Sequence, residues 1–176
     1  DVVCLQETKM SNISRRFILS MLGAEFDNNF ISLPVVGASG GILIAWRNGV
    51  GNIIASRVDT YSASVNVLPV HGNSWWLTCV YGPQRNEDEI AFLQEFRDFR
   101  QQCSGPWLIG GDFNLIYKAE VKNNSNYNRA MMGRFRKLLN DLALKEFQLQ
   151  GRKFTWSSSS TSSSPVLVHL DNLLFG

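Results

Sequence analysis

Trp107-Leu108-Ile109-Gly110-Gly111-Asp112-Phe113-Asn114 joins a short apolar run, a glycine pair and two polar side chains. Trp107 to Ile109 reads as a short buried strand. It runs directly into Gly110-Gly111, and a glycine pair there predicts close approach of another backbone. Asp112 and Asn114 then stand at a strand end, where side chains project into clefts. A second reading of the same residues is a turn Asp followed by an Asn in a left-handed conformation. The residues alone leave both open.

Two further acids repeat the pattern. Glu7 follows Val2-Val3-Cys4-Leu5, and Asp171 lies inside the apolar run Leu170 to Phe175. A polar group in such a run costs free energy unless it is paired, and an ionised carboxylate there calls for a cation. Two or three converging carboxylates would hold Mg²⁺, which takes few protein carboxylates plus water and phosphate oxygens. The plainer alternatives are a solvated loop acid or helix cap for Glu7, and a salt bridge for Asp171. Tyr81-Gly82-Pro83 ends an aromatic strand. Tyr81 is either a strand-end residue above a turn or a phenol that donates to a phosphate oxygen. His71 sits in a turn and reads as solvated. His169 lies two positions before Asp171, on the same face of a regular strand. It fits a phosphate or substrate contact better than a general base.

Outward from these positions, the pattern predicts strands at Val2 to Leu5, Phe30 to Leu33, Gly41 to Trp46, Ile53 to Arg57, Ser62 to Leu68, Trp75 to Tyr81, Lys153 to Trp156 and Val166 to Phe175. Ala63, Val65 and Val67 share one face. A first helix spans Ser11 to Leu22, capped by Ser11, with Ile13, Phe17 and Met21 inward. A second starts at a capping-box-like Asn86 and Glu89, with Phe92, Phe96, Phe99 and Cys103 inward and Gly105-Pro106 as its stop. A third follows Asn128, with Met131, Phe135, Leu138 and Leu142 inward. Ser157 to Ser164, seven Ser and one Thr, reads as a surface loop. About nine strands and three helices predict an α/β or α+β fold with strands in two layers. Residues 30 to 81 fit meandering hairpins.

The 176 residues suit a single domain, 1–176. A hydrophobic fraction of 44% can fill one core. A net charge of +2 permits a nucleic-acid partner without requiring one. Cys4, Cys79 and Cys103 lack zinc-site spacing and read as free thiols in a reducing compartment. With no membrane-length apolar run and no signal peptide, a nuclear or cytoplasmic location is expected. Apolar strand-like runs at both ends predict that both termini lie inside a larger fold. Phosphate-loop, nucleophile-elbow and His-Glu-x-x-His motifs do not occur.

The ordered set Leu5-Gln6-Glu7-Thr8, Gly40-Gly41-Ile42, Val80-Tyr81-Gly82-Pro83, Gly111-Asp112-Phe113-Asn114, Phe154-Thr155-Trp156 and Leu170-Asp171 resembles the endonuclease/exonuclease/phosphatase superfamily. The Tyr-Gly-Pro and Phe-Thr-Trp-Ser forms look most like plant LINE-type (non-LTR) retrotransposon endonucleases. That resemblance implies a deoxyribonuclease I-like fold: a four-layer α/β sandwich of two facing β-sheets flanked by helices, incomplete at both termini. It implies a Mg²⁺ site, with Mn²⁺ as a substitute, whose main ligand is Glu7. Tyr81 would contact the scissile phosphate. Asp112 would orient or deprotonate water, with Asn114 beside it and Asp171 in support. Thr155 would line the DNA-binding face.

The same resemblance implies DNA as partner, a reverse transcriptase in the full-length polypeptide, and DNA nicking for retrotransposition. Four departures stand out. The family's Asn strand upstream of Glu7 and its late Ser-Asp-His motif do not fall within the chain. His169 stands where the family often has Lys or Arg, and Gln84 replaces an Asn common in related nucleases. A Ser-rich tip offers weak hydrogen bonds and no charge, which predicts low sequence specificity. A phosphatase of the same superfamily and an inactive retroelement remnant are the competing readings.

Overall fold

The computed structural model describes residues 1–37, 40–147, 150–151, 153–158 and 165–176. Strands β1 (Val2–Gln6), β2 (Phe30–Leu33) and β3 (Ile42–Trp46) form an antiparallel sheet in the order β1-β3-β2. Strands β4 (Asn52–Val58), β5 (Ser62–Leu68), β6 (Trp75–Tyr81), β7 (Trp107–Asp112), β8 (Lys145–Glu146) and β11 (Asp171–Phe175) form a second sheet, ordered β4-β5-β6-β7-β11-β8. A small hairpin pairs β9 (Trp156–Ser157) with β10 (Leu167–Val168). Three helices complete the layers: α1 (Arg15–Leu22), α2 (Glu89–Gln102) and α3 (Arg129–Asp141).

Three apolar clusters set the order of the layers. Ile18, Phe26, Leu43 and Ala45 join α1 to the outer face of the small sheet. Ile42 and Ile44 meet Ala63, Val65, Leu77 and Cys79 between the sheets. Phe92, Phe96 and Phe99 of α2, with Phe135 and Leu138 of α3, cover Trp76, Trp107, Ile109 and Leu174 on the large sheet. This is the expected four-layer sandwich. Rings lock the last layer together: Phe99 stacks on Trp107 at 4.5 Å between centroids.

The strand at Trp107 carries on through both glycines, so Asp112 is its last residue rather than a loop residue. It lies parallel to β6, with α2 as the crossover between them. The β4-β5-β6 meander matches the expected hairpins. In β5 the polar alternates Ser62 and Ser64 are buried too, because helices cover the second face. Ser64 and Thr78 share a 2.8 Å hydrogen bond, and the Trp107 indole donates to Thr78 Oγ1 at 2.8 Å. That network satisfies polar groups that burial would otherwise penalise.

Helix starts shift from their expected places. In α1 the cap is Ser14, whose hydroxyl accepts from Phe17 N at 3.2 Å, not Ser11. Ile13 therefore precedes the helix, Ile18 becomes its buried residue, and Met21 is exposed. Asn86 makes no side-chain cap bond: a 3-10 turn, Asn86–Asp88, comes first and α2 starts at Glu89. Asn128 does cap α3, accepting from Met131 N at 3.1 Å. The expected Lys153–Trp156 strand contracts to β9, and Val166–Phe175 divides into β10 and β11. β8 carried no signal in its two residues. The thiols are unpaired, with Cys79 and Cys103 buried and Cys4 half-buried. The tip of the Ser-rich stretch, 159–164, lies outside the described residues.

Phe113 is fully buried against Phe92, Phe96 and Phe135, and it ties the Asp112 strand end to the helical layer. Phe113→Ala is expected to cost about 3–5 kcal/mol of stability, read from denaturant unfolding. An unchanged midpoint would show that this anchor is dispensable.

Candidate active site

Three neighbouring strands bring three polar side chains into one row. Tyr81 of β6 pairs with Asp112 of β7, and Asp112 pairs with Asp171 of β11. Paired residues on adjacent strands share a face of the sheet. Here it is the face turned toward the small sheet, where Tyr81 packs at the margin of the inter-sheet core. Glu7 joins from that opposite sheet, one residue beyond β1. The end of β1 crosses β6 at this point, where Gln6 Nε2 donates to Cys79 Sγ at 3.1 Å.

Backbone geometry holds both rims. Glu7 has φ 52°, an unusual conformation for a non-glycine residue. The turn is held by Thr8 N donating to Gly41 O at 3.2 Å and Lys9 N donating to Gly40 O at 3.1 Å. Gly41 has φ +88°, and a Cβ there would lie 2.4 Å from Thr8 Oγ1. Across the cleft, a Cβ on Gly111 would lie 2.1 Å from Val80 O. The glycine pair thus marks the close strand approach that its sequence suggests.

Asn114 also fulfils the turn reading. It has φ 50°, and its N–H donates to Asp112 Oδ1 at 2.8 Å. Its amide Nδ2 donates to Gly82 O at 2.8 Å, so it fastens the Asp112 loop to the Tyr81-Gly82 loop. The turn and the cleft therefore coexist.

The electrostatics follow from crowding. Burial, opposed by the Asn114 N–H and reinforced by the charges of Asp171 and Glu7, pushes the Asp112 carboxyl up to about 6. Burial and the nearby Glu7 charge also raise the Tyr81 phenol. Gln84 Nε2 donates to the Tyr81 oxygen at 2.9 Å, which opposes that shift. Glu7 itself is exposed and pairs with Lys9 at 3.3 Å. Among the described residues, no group of three His, Cys, Asp or Glu is close enough to enclose a metal unaided. One or two carboxylates completed by water and substrate oxygens is the arrangement that suits Mg²⁺.

Thr155 stands beside Asp171. Its hydroxyl accepts from Leu170 N at 3.0 Å and from Asp171 N at 3.2 Å. Both lone pairs are then in use, so the exposed hydroxyl has a proton to donate and no acceptor site left. His169 is not brought into the row. Its Nε2 lies 3.7 Å from Glu146 Oε1, in a separate group with Tyr117 and Lys118. The chain between β10 and β11 is not regular strand, so the alternation that would put residues 169 and 171 on one face does not apply. Gln84 was not singled out as a site residue by sequence. Its signal is its spacing, three residues beyond Tyr81 around the Gly82-Pro83 turn.

The Endonuclease/Exonuclease/phosphatase family model matches residues 1–171. The chain belongs to that family. No curated protein matches the sequence. Among solved structures, the endonuclease domain of TRAS1, a telomere-specific non-LTR retrotransposon, is similar with TM-score 0.63 and 13% identity, over 82% of this chain and 65% of that one. The Xenopus laevis APE2 catalytic domain gives TM-score 0.64 and 15% identity, over 100% and 74%. Caenorhabditis elegans TDP2 gives 0.57 and 14%, over 100% and 54%. The chain spans less than two-thirds of the TRAS1 and TDP2 chains. At these identities the likeness is one of fold, and the fold is the family's own.

Asp112 is easier to bury protonated than ionised. The unfolded carboxyl titrates near about 3.9, and the folded one near 6. Wild-type stability contributed by this group is therefore greatest below pH 4 and falls as pH rises through 6. Asp112→Asn is expected to raise the unfolding midpoint at pH 8 and leave it close to wild type at pH 4. A gain at pH 4 equal to that at pH 8 would refute the charge origin.

Proposed function

We propose that residues 1–176 form one endonuclease domain that hydrolyses phosphodiester bonds in DNA with Mg²⁺, or Mn²⁺ in its place. We assign it to nicking target DNA in a LINE-type retrotransposon protein, joined to a reverse transcriptase in the full-length polypeptide. The observation that carries this is the Tyr81–Asp112–Asp171 row facing Glu7 across the cleft. Family membership and the retrotransposon endonuclease among its structural relatives support the choice. Among the described residues, no helix is long and apolar enough to cross a membrane. A nuclear or cytoplasmic site of action suits the DNA substrate.

Each residue has a distinct task. Glu7 would hold the cation, and bound Mg²⁺ would neutralise charge developing on the phosphate. Asp112, ionised above about pH 6, would accept a proton from the attacking water. Its Oδ1 bond from Asn114 N fixes the carboxylate plane for that transfer. Asp171 is the adjacent acid; burial, with the Asp171 charge adding to it, makes Asp112 a stronger base than an isolated carboxylate. The Tyr81 phenol stays protonated and can donate to a phosphate oxygen. Thr155, a fixed donor beside Asp171, suits an anionic oxygen of the same strand. His169, turned to Glu146, would meet the backbone only at the outer margin of this surface.

Supercoiled plasmid is the direct test. Nicking is expected with Mg²⁺, to stop with chelator, and to fall at least a hundredfold in Asp112→Ala. Its rate should climb with pH through about 6, following the Asp112 carboxyl. Activity that survives chelation or the Asp112 substitution defeats this assignment. Release of phosphate from small monoesters without nicking would make it a phosphatase.

A further inference from the structure

Positive charge is gathered on one stretch of the chain. Nine Lys or Arg and three Asp or Glu lie between Lys118 and Lys153, while the remaining residues hold eight and twelve. Helix α3 lies within that stretch and carries Arg129, Arg134, Arg136 and Lys137, all exposed. Its buried residues Met131, Phe135, Leu138 and Leu139 pack on the large sheet. At about 3.6 residues per turn, Gly133 then falls at the centre of the outward face. Arg129 and Arg136 follow one side of it, and Arg134 and Lys137 the other.

This face is poorly composed for a helix that meets only water. Gly is the weakest helix former after Pro. Packing does not require Gly133, because a Cβ there would meet nothing within 4 Å. Arg129 stands in the first turn, where the helix dipole favours acids, and Asp141 in the last, where it favours cations. Arg134 and Lys137 are three residues apart on the helix and repel. Lys137 has a surface partner in Asp141 at 2.9 Å. Arg136 Nε donates to Tyr117 O at 3.0 Å, which holds that guanidinium in place. Among the described residues, Arg129, Arg134 and Arg136 form no ion pair.

Cations on both sides of a bare stretch of helix suit a phosphate backbone, which is anionic along its whole length and releases counterions on binding. We propose that the outward face of α3 binds the backbone of duplex DNA outside the cleavage cleft, with a phosphate strand over Gly133 between the two pairs of cations. The inference rests on the nuclease reading for the identity of the occupant, and extends it from the cut to the flanking duplex. Asn128, which caps α3, and Asn114, beside Asp112, line one cavity. DNA leaving the cleft on this side therefore meets Arg129 first. Such contacts read no bases; they add affinity and fix where the duplex lies.

The test uses the whole chain and two fluorescently labelled duplexes, in chelator so that neither is cut. One spans about one helical turn and fits the cleft alone; the other spans about three turns. Anisotropy titration is expected to show about tenfold tighter binding of the longer duplex. Arg129→Gln combined with Lys137→Gln should remove most of that gain and lower the salt dependence of long-duplex binding by about two counterions. The short duplex should keep its affinity. Gly133→Gln is uncharged and a better helix former, so it should raise the unfolding temperature and yet weaken the long duplex severalfold. A merely structural role would give the first change without the second. Equal affinities for the two duplexes in the wild type, losses that fall equally on both, or unchanged long-duplex binding by Gly133→Gln each overturn the surface. If plasmid nicking persists in that case, the nuclease reading stands. A wild type that neither binds duplex nor nicks plasmid overturns both.

Discussion

Asp112 is hydrogen-bonded into the middle of the large sheet, with β6 on one side and β11 on the other. A strand shift of one residue would turn its carboxylate from the inter-sheet cleft into the helical core. Much of the nearby structure serves to prevent that. Phe113 is seated among the aromatic rings of α2 and α3, so the next residue cannot rotate. Gly111 lets β7 come so near β6 that no side chain would fit between them. Gly82 N donates to Asp112 O at 2.7 Å, and Phe113 N donates to Leu170 O at 3.1 Å, so both neighbouring loops clasp the strand end. The row is a consequence of register, and register is held by packing on the far side of the sheet.

That rigidity lets the fold hold an arrangement that electrostatics opposes. Glu7, Asp112 and Asp171 are acids directed at one cleft; burial raises the Asp112 carboxyl most, and the charges of Asp171 and Glu7 add to it. Strands that could relax would separate them. Here the turn that carries Glu7 is fastened by backbone bonds from Thr8 and Lys9 to Gly41 and Gly40, next to β3 of the small sheet, while its counterparts belong to the large one. The inter-sheet core of Ile42, Ile44, Val65 and Leu77 sets the distance between the two rims. Lys9 offers Glu7 partial relief at the surface. Asp112 has no side-chain cation partner among the described residues. A bound cation or a proton would relieve the same repulsion, and for that reason occupancy and pH act on one quantity.

Glu7, Tyr81, Asp112 and Asp171 could be singled out in sequence as candidates because each is a polar residue at the end of an apolar run, a signal tied to local alternation. Their convergence was not legible from periodicity. It depends on β6 and β7 being parallel neighbours and on β11 returning beside β7, and residues 81, 112 and 171 carry no local mark of that pairing. His169 failed for a related reason. Its face was inferred by extending a strand backward, whereas β10 and β11 are separate and His169 faces Glu146 instead. The helix starts depended on which of several Ser or Asn residues captures a backbone N–H. At α1 the choice fell to Ser14, because Ile18 must reach the Leu43 and Ala45 layer. Glu89 looked like a helix-start acid. A 3-10 turn precedes it, and Glu89 is buried at the start of α2, which no pattern of charges records.

Thr155 shows how such an assembly fixes polarity as well as position. A free threonine hydroxyl can donate or accept and adapts to whatever approaches. Here the two N–H groups of Leu170 and Asp171 occupy its acceptor sites. Those same N–H groups open β11, so the bond that starts the strand also removes the choice of hydrogen-bond sense. The neighbouring carboxylates are acceptors only, whereas Thr155 and Tyr81 retain donors. The cleft therefore presents acceptors to a cation or a water and donors to an anionic oxygen. Under the proposed function, that division would suit a phosphodiester approached by a water.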